Sequence, residues 1–213
     1  MKKLLSILIA LCLMAPMYAD VQKSIDKALL KAQQKEMKAK MKEYKKGGWE
    51  IMGSHTMEVA LLKHYSKVLE LGDNCSEFSG ISSATKSKNL GEQMALNAAT
   101  IKYAQKAGST VKGRVVSDMF ADGSGTGDGE FEKFYAAYER LVEQKVKGVM
   151  TPSYSIIRQN GDGTYEVQSF FIVDESKAKT ARQAAIEGAI KESELAAKYA
   201  DTVRGFVNDK IED

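Results

Sequence analysis

Apolar positions recur at helical spacing along much of this chain, and glycine or β-branched runs take over where that period breaks. Residues 21–46 contain no glycine or proline. Ile25, Leu29, Ala32, Met37, Met41 and Tyr44 form an apolar stripe there, on a helix that Gly47-Gly48 ends. "WEIM" at 49–52 reads as a short strand with Trp49 and Ile51 on one face. Ser54 is placed to cap a helix running to Leu71, with Met57, Leu61, Tyr65 and Val68 as its stripe and Gly72 as its stop. "CSEFSGISSATKS" follows as a strand of small and polar residues. Residues 89–108 form the clearest helix, lined by Met94, Ala95, Ala98, Ile101, Ala104 and Ala107.

The next segment, "TVKGRVVSDM" at 110–119, alternates Val111, Gly113 and Val115 with Lys112 and Arg114, which predicts a strand with one face outward. After a glycine-rich loop, residues 129–144 predict a helix whose stripe is Phe131, Phe134, Tyr135, Tyr138, Leu141 and Val142. Two β-rich runs then flank Asn160-Gly161-Asp162-Gly163, the strongest hairpin signal in the chain. Pro152 predicts an edge or a bulge in the first run. Phe170 and Phe171, being adjacent on a strand, must point to opposite faces. Residues 176–208 predict one long Ala-rich helix with a seam of Ala181, Ala185, Ala189, Ala196, Tyr199, Val203 and Phe206. The predicted order is α-β-α-β-α-β-α-β-β-α. That order implies an α+β fold: a mixed, mostly antiparallel sheet with helices packed on one face, plus long N- and C-terminal helices.

The first twenty residues change the picture of the compartment. Lys2 and Lys3 precede an apolar run from Leu4 to Ala15, Pro16 breaks it, and Ala19/Asp20 offers a cleavage point. This is the layout of a secretory signal peptide, and the apolar run is shorter than the roughly 20 residues a membrane span needs. Leu11 stands before Cys12 where a lipid-attachment signal requires a small residue, so a soluble mature protein in the periplasm or at the envelope is expected. The expected organisation is a signal peptide over 1–19, a basic helix over 20–46, an α+β domain over 47–175, and a C-terminal helix over 176–213 packing on the domain or a partner. The basic helix holds nine lysines against four acids, whereas residues 47–213 carry 20 basic and 24 acidic groups. That asymmetry allows peripheral contact of the helix with an anionic surface or an acidic partner, although the helix lacks the Trp and Phe of interfacial helices. Neither the balance of charge nor the compartment suits nucleic acid.

Candidate chemistry is sparse. The loop from Asp122 to Glu130 resembles a calcium loop in its oxygens, but the twelfth position, where a bidentate Glu belongs, is Lys133. It matches neither the phosphate nor the dinucleotide glycine pattern, and is read as a flexible loop whose Asp128 and Glu130 suit the start of the next helix. His55, His64 and Cys75 are too few and too scattered for zinc, so no metal and no cofactor is expected. The two histidines are expected at the surface or at caps. Cys75, the one cysteine left after cleavage, reads as a half-buried structural thiol or, less simply, one that pairs with another chain or acts as a nucleophile. Asp174-Glu175 and the Glu192, Glu194 pair are expected on solvated ends, and no serine occupies a Gly-x-Ser-x-Gly elbow. No catalytic residue follows from these motifs.

The stretches "FSGISSATKSKNLGEQMALNAATIKYAQKAGSTVKGRV" and "FEKFYAAYERLVEQKVKGVMTPSYSIIRQNGDGTYEV" resemble the LPP-twenty lipoprotein family and the related N-terminal domain of a flagellar assembly protein. The likeness lies in a strand of small residues, an Ala-x-x-x-Ala helix, a Val-Gly strand and a hairpin ending in Asp-Gly-x-Tyr-x-Val, roughly over residues 78–173. It implies a small α+β domain in an exported, non-enzymatic envelope protein. The lipid-attachment cysteine of that family is missing, and long helices are added at both ends. Contact with an envelope protein, or self-association through the terminal helices, is therefore the expected mode of action. The alternative is a small-ligand or lipid carrier with a pocket between sheet and helices near Tyr135 and Tyr138. An enzyme of unknown class ranks third.

Overall fold

The computed structural model of the chain describes residues 31–119 and 128–207. The expected signal peptide, the start of the basic helix and residues 122–127 of the glycine loop lie outside them. The chain divides into two compact units, one reaching Gly48 and one beginning at Trp49. In the first, helix α1 is described over residues 31–46, with a Lys40–Glu36 pair one turn apart at 3.6 Å. It stops as expected at the two glycines, where Gly48 takes a φ of +70°.

The second unit runs β1 (Glu50–Ile51), α2 (Met57–Leu71), a 3-10 turn (Gly72–Asn74), β2 (Cys75–Ile81), α3 (Lys88–Met119), α4 (Asp128–Val146), β3 (Met150–Gln159), β4 (Tyr165–Asp174), α5 (Glu175–Lys191), α6 (Glu194–Lys198) and α7 (Ala200–Gly205). The four strands make one sheet in the order β1-β3-β4-β2, and every pairing is antiparallel. The class is α+β. The hairpin forms as its turn residues require: Asn160 N–H donates to the Thr164 carbonyl, and Gly163 supplies the positive φ of +80°. The β3–β4 register shifts between Pro152 and Tyr154, the bulge that the proline predicts.

Register sorts the sheet into two faces. Phe78, Phe171, Val173 and Met150 share one face, because each is paired with or lies two residues from another of them. This face joins a core with Ala99, Tyr103 and Ala107 of α3, Phe134 and Tyr138 of α4, and Ala178, Ala185 and Ile186 of α5. Contact with α3 is very close: a Cβ built on Gly80 of β2 falls 1.8 Å from the Ala95 carbonyl oxygen. The opposite face carries Glu77, Tyr154, Ile156 and Phe170, and α2 lies against it through His64.

Four expectations need correction. Helices cover both faces of the sheet, not one; the buried side of α2 (Ala60, Leu61, His64, Tyr65) serves the second face. The strand expected at 110–119 is the last third of α3, since Val111 and Val115 are four residues apart and both buried on the face of Ala104 and Ala107. That four-residue spacing outweighs the alternation, whose middle member, Gly113, faces open space. The single C-terminal helix breaks into α5, α6 and α7: Ser193 turns extended and its Oγ accepts from Ala196 N–H, starting α6 afresh. The cap of α2 is Thr56 rather than Ser54, with Val59 N–H donating to Thr56 Oγ1 at 3.3 Å.

Candidate functional site

Two polar constellations are built into this scaffold, one on each side of the sheet. The inner one joins α3 to α5. Glu175 and Arg182 stand seven residues apart on α5, hence two turns apart on one face, and both are buried at 4% and 3% exposure. Arg182 Nη1 donates to Glu175 Oε2 at 2.5 Å and also to the Tyr103 hydroxyl, which in turn donates to Glu175 Oε2 at 3.2 Å. Phe78 closes the group with its ring edge-on to Tyr103, centroids 5.0 Å apart. Burial pushes the Tyr103 hydroxyl well above the ordinary tyrosine range, against the pull of Arg182, and burial does the same to Tyr138. Burial opposes the charge of Arg182, but Tyr103 and Glu175 outweigh it and the guanidinium pKa ends raised. Glu175 Oε1 and the Tyr138 hydroxyl are buried with no hydrogen-bond partner in the structure. Tyr103 ties α3 to this ion pair of α5, and the expectation that Glu175 is solvated is overturned. Its place at the first turn of α5 turns it under the sheet, while Asp174 takes the cap and accepts from Ser176 N–H.

The outer constellation links three elements. His64, on the inner side of α2, is 1% exposed. Its Nδ1 lies 2.8 Å from Ser153 Oγ at the β3 bulge, and its Nε2 lies 2.5 Å from Glu77 Oε1 on β2. The Tyr154 ring meets the imidazole edge-on at 5.2 Å and stacks on Phe170 at 4.3 Å. His64 is thus no surface residue, contrary to the expectation from sequence. His55 is exposed, with its Nε2 2.9 Å from Lys63 Nζ. The sequence holds no local sign that completes either group: Ser153 is 89 residues from His64, and Arg182 is 79 from Tyr103.

The other residues singled out by sequence take structural places. Phe131, Phe134, Tyr135 and Tyr138 are all core residues, so the space expected to hold a carried ligand is filled by the side chains meant to line it. Phe171 is buried on the α3 face and Phe170 is stacked on the other. Cys75 is half-buried and in no disulfide. Glu192 pairs with Arg140 at 2.7 Å on the surface. Most of the C-terminal seam is covered from within the unit, where Ala185, Ala189, Ala196, Val203 and Phe206 join the core and Leu141 of α4 abuts Gly188, whereas Ala181 is half-buried and Tyr199 is 46% exposed.

Exposed apolar side chains also occur singly at Ile81, Leu90 and Val116, and two surface features group several residues. A shallow cleft of about 190 Å³ lies between α3 and α4, lined by Ile101, Gln105, Glu139, Arg140 and Glu143. In it, burial and then the charge of Glu132 raise the Glu139 pKa, with Lys112 opposing. The outward side of α2 presents Val59, Leu62 and Leu69, exposed by 38%, 48% and 37%. Among the described residues no helix is long and apolar enough to cross a membrane, and no group of three His, Cys, Asp or Glu is placed to hold a metal ion. Neither protein-family models, curated proteins nor solved structures contain a match to the chain.

Proposed function

We propose that this is an exported, envelope-associated binding or structural protein that acts by contact with another envelope protein. The observation that carries the reading is the apolar stripe on α2. Val59, Leu62 and Leu69 fall within about a quarter-turn of one another on the helix surface, outside the face that packs on the sheet. Val59 and Leu62 are one turn apart and Leu69 stands two turns further along the same line. Aliphatic side chains aligned in water mark an interaction surface more often than a random scatter does. The leader-like residues 1–19 and the resemblance to the LPP-twenty family support the compartment. The ligand-carrier alternative is left with less support, because Tyr135 and Tyr138 fill the interior it requires.

The test is affinity capture from envelope extract with the tagged chain 20–213 and a twin carrying Leu62→Asp and Leu69→Asp. Both positions are exposed, so the twin is expected to fold. A partner held by the first and lost by the second supports the reading. Equal capture by both forms, or none by either, counts against it. Intact mass of the exported protein is expected to begin at Asp20.

A further inference from the structure

We propose that Ser153, His64 and Glu77 form a nucleophilic site that is acylated at Ser153 Oγ by small carboxylic esters. The proposal goes beyond the binding reading and is independent of it. It runs against the non-enzymatic expectation drawn from motifs, because the three residues share no motif and meet only when the sheet and α2 are assembled.

Protonation follows from the partners. An ionised Glu77 only accepts hydrogen bonds, so the 2.5 Å contact places the ring proton on His64 Nε2. In the neutral imidazole Nδ1 then carries the lone pair, and Ser153 Oγ, 2.8 Å away, is its donor. The carboxylate therefore selects the tautomer in which His64 is a base towards Ser153. Nucleophile, base and orienting group are all within hydrogen-bond reach, the relation that defines an activated serine. The ring is used the other way round from the familiar serine-protease order, where Nε2 faces the serine; either nitrogen serves as the base.

The backbone is shaped for it. Strict alternation along β3 would put Ser153 and Tyr154 on opposite faces. Yet Ser153 Oγ bonds to His64 and the Tyr154 ring packs edge-on against the same imidazole. The register shift between Pro152 and Tyr154 is what brings both to one face, and bulges of this kind re-aim side chains beside active sites. Ser153 is partly exposed, Glu77 keeps 47% of its side chain in water, and His64 is sealed between them. On the same face of the sheet the buried Tyr154 ring stacks on half-buried Phe170 and backs the imidazole, which holds the base in place.

In the reaction, Ser153 Oγ attacks the ester carbonyl carbon while its proton passes to His64 Nδ1. The bond from that carbon to the alkoxy oxygen breaks, and the alcohol leaves with the proton from His64. Water then attacks the acyl-serine, gives a proton to His64, and releases the carboxylic acid as Ser153 recovers its own.

The experiment treats the full chain with a fluorophosphonate probe and with 4-nitrophenyl acetate, and maps adducts by peptide mass spectrometry. A single adduct on Ser153 is expected, abolished in Ser153→Ala and unchanged in Ser155→Ala on the same strand. Glu77→Ala, at an exposed position, is expected to slow labelling by about tenfold or more. His64→Gln is expected to slow it by about a hundredfold, the usual scale for a general base. Folded protein that stays unlabelled, labelling elsewhere that survives in Ser153→Ala, or a labelling rate indifferent to Glu77→Ala overturns the proposal.

Discussion

Replacing Gly80 by alanine is the sharpest probe of how the sheet meets α3. The new Cβ would lie 1.8 Å from the Ala95 carbonyl oxygen and 2.8 Å from Ala99 N. Both are helix backbone atoms, and Ala95 and Ala99 are fully buried, so no side chain can rotate away. Restoring ordinary contact requires β2 to back off α3 by more than about 1 Å, in an interior packed as densely as a crystal. Overpacking costs about 1–3 kcal/mol where side chains give way. With backbone on both sides the cost is expected at or above the top of that range, about 3 kcal/mol. For a domain of this size that lowers Tm by roughly 6–12 °C. Gly113, on the same helix, is the matched control: nothing lies within 4 Å of its added Cβ. Gly113→Ala is expected to gain about 0.5–1 kcal/mol, the usual difference in a helix interior. Urea unfolding followed by far-ultraviolet circular dichroism reads both. A Gly80→Ala protein within about 0.5 kcal/mol of the parent would refute the close strand-on-helix contact, as would a Gly113→Ala protein equally damaged.

Other outcomes follow from the buried polar group. Arg182→Met removes the cationic partner of buried Glu175 and leaves it only the Tyr103 hydroxyl, and is expected to cost about 3–5 kcal/mol, seen as a lowered urea midpoint; a change below about 1 kcal/mol contradicts the burial. Alkaline titration tests the tyrosines. Tyr103 and Tyr138 hold their protons more tightly folded than unfolded, so the unfolded chain binds fewer protons above about pH 10 and stability falls as pH rises further. Absorbance at 295 nm should therefore show a fraction of the nine tyrosines ionising only on unfolding; all nine titrating together in folded protein is the contrary result. Thr56→Ala removes the cap of α2 and is expected to cost about 1 kcal/mol, measured in the same urea assay.

What could be read from sequence was what short-range physics decides. The β3–β4 hairpin, the stop at Gly72 and the stripe from Phe131 to Val142 follow from turn chemistry and from one period each. Residues 110–119 were misread because Val111, Gly113 and Val115 satisfy a two-residue alternation, while Val111 and Val115 alone satisfy a helical one. Only their burial in the core beside α4 decides between them. At the C-terminus the alanine seam runs through Ser193 without interruption, so its period hid a cap that Ser193-Glu194 does signal. The second face of the sheet was missed because α2 looks like any amphipathic helix until register shows which way Glu77 and Tyr154 point. The two polar groups were out of reach for a different reason. His64, Glu77 and Ser153 each have an ordinary surface reading, and only the antiparallel order β3-β4-β2, with α2 laid across it, places them together. Glu175 and Arg182 did leave a trace, a pair seven residues apart on the face of Ala178 and Ala185, but nothing local says that Tyr103 completes it.

The claim that matters most is that α2 carries the contact surface. In-cell photo-crosslinking tests it directly, with a photoreactive residue placed at Leu62 and, as control, at Arg204, which is exposed on α7 and pairs with Glu187 at 2.6 Å. The account predicts a discrete adduct with an envelope protein from position 62 and none from position 204. Adducts from both positions alike, or from 204 alone, would contradict it.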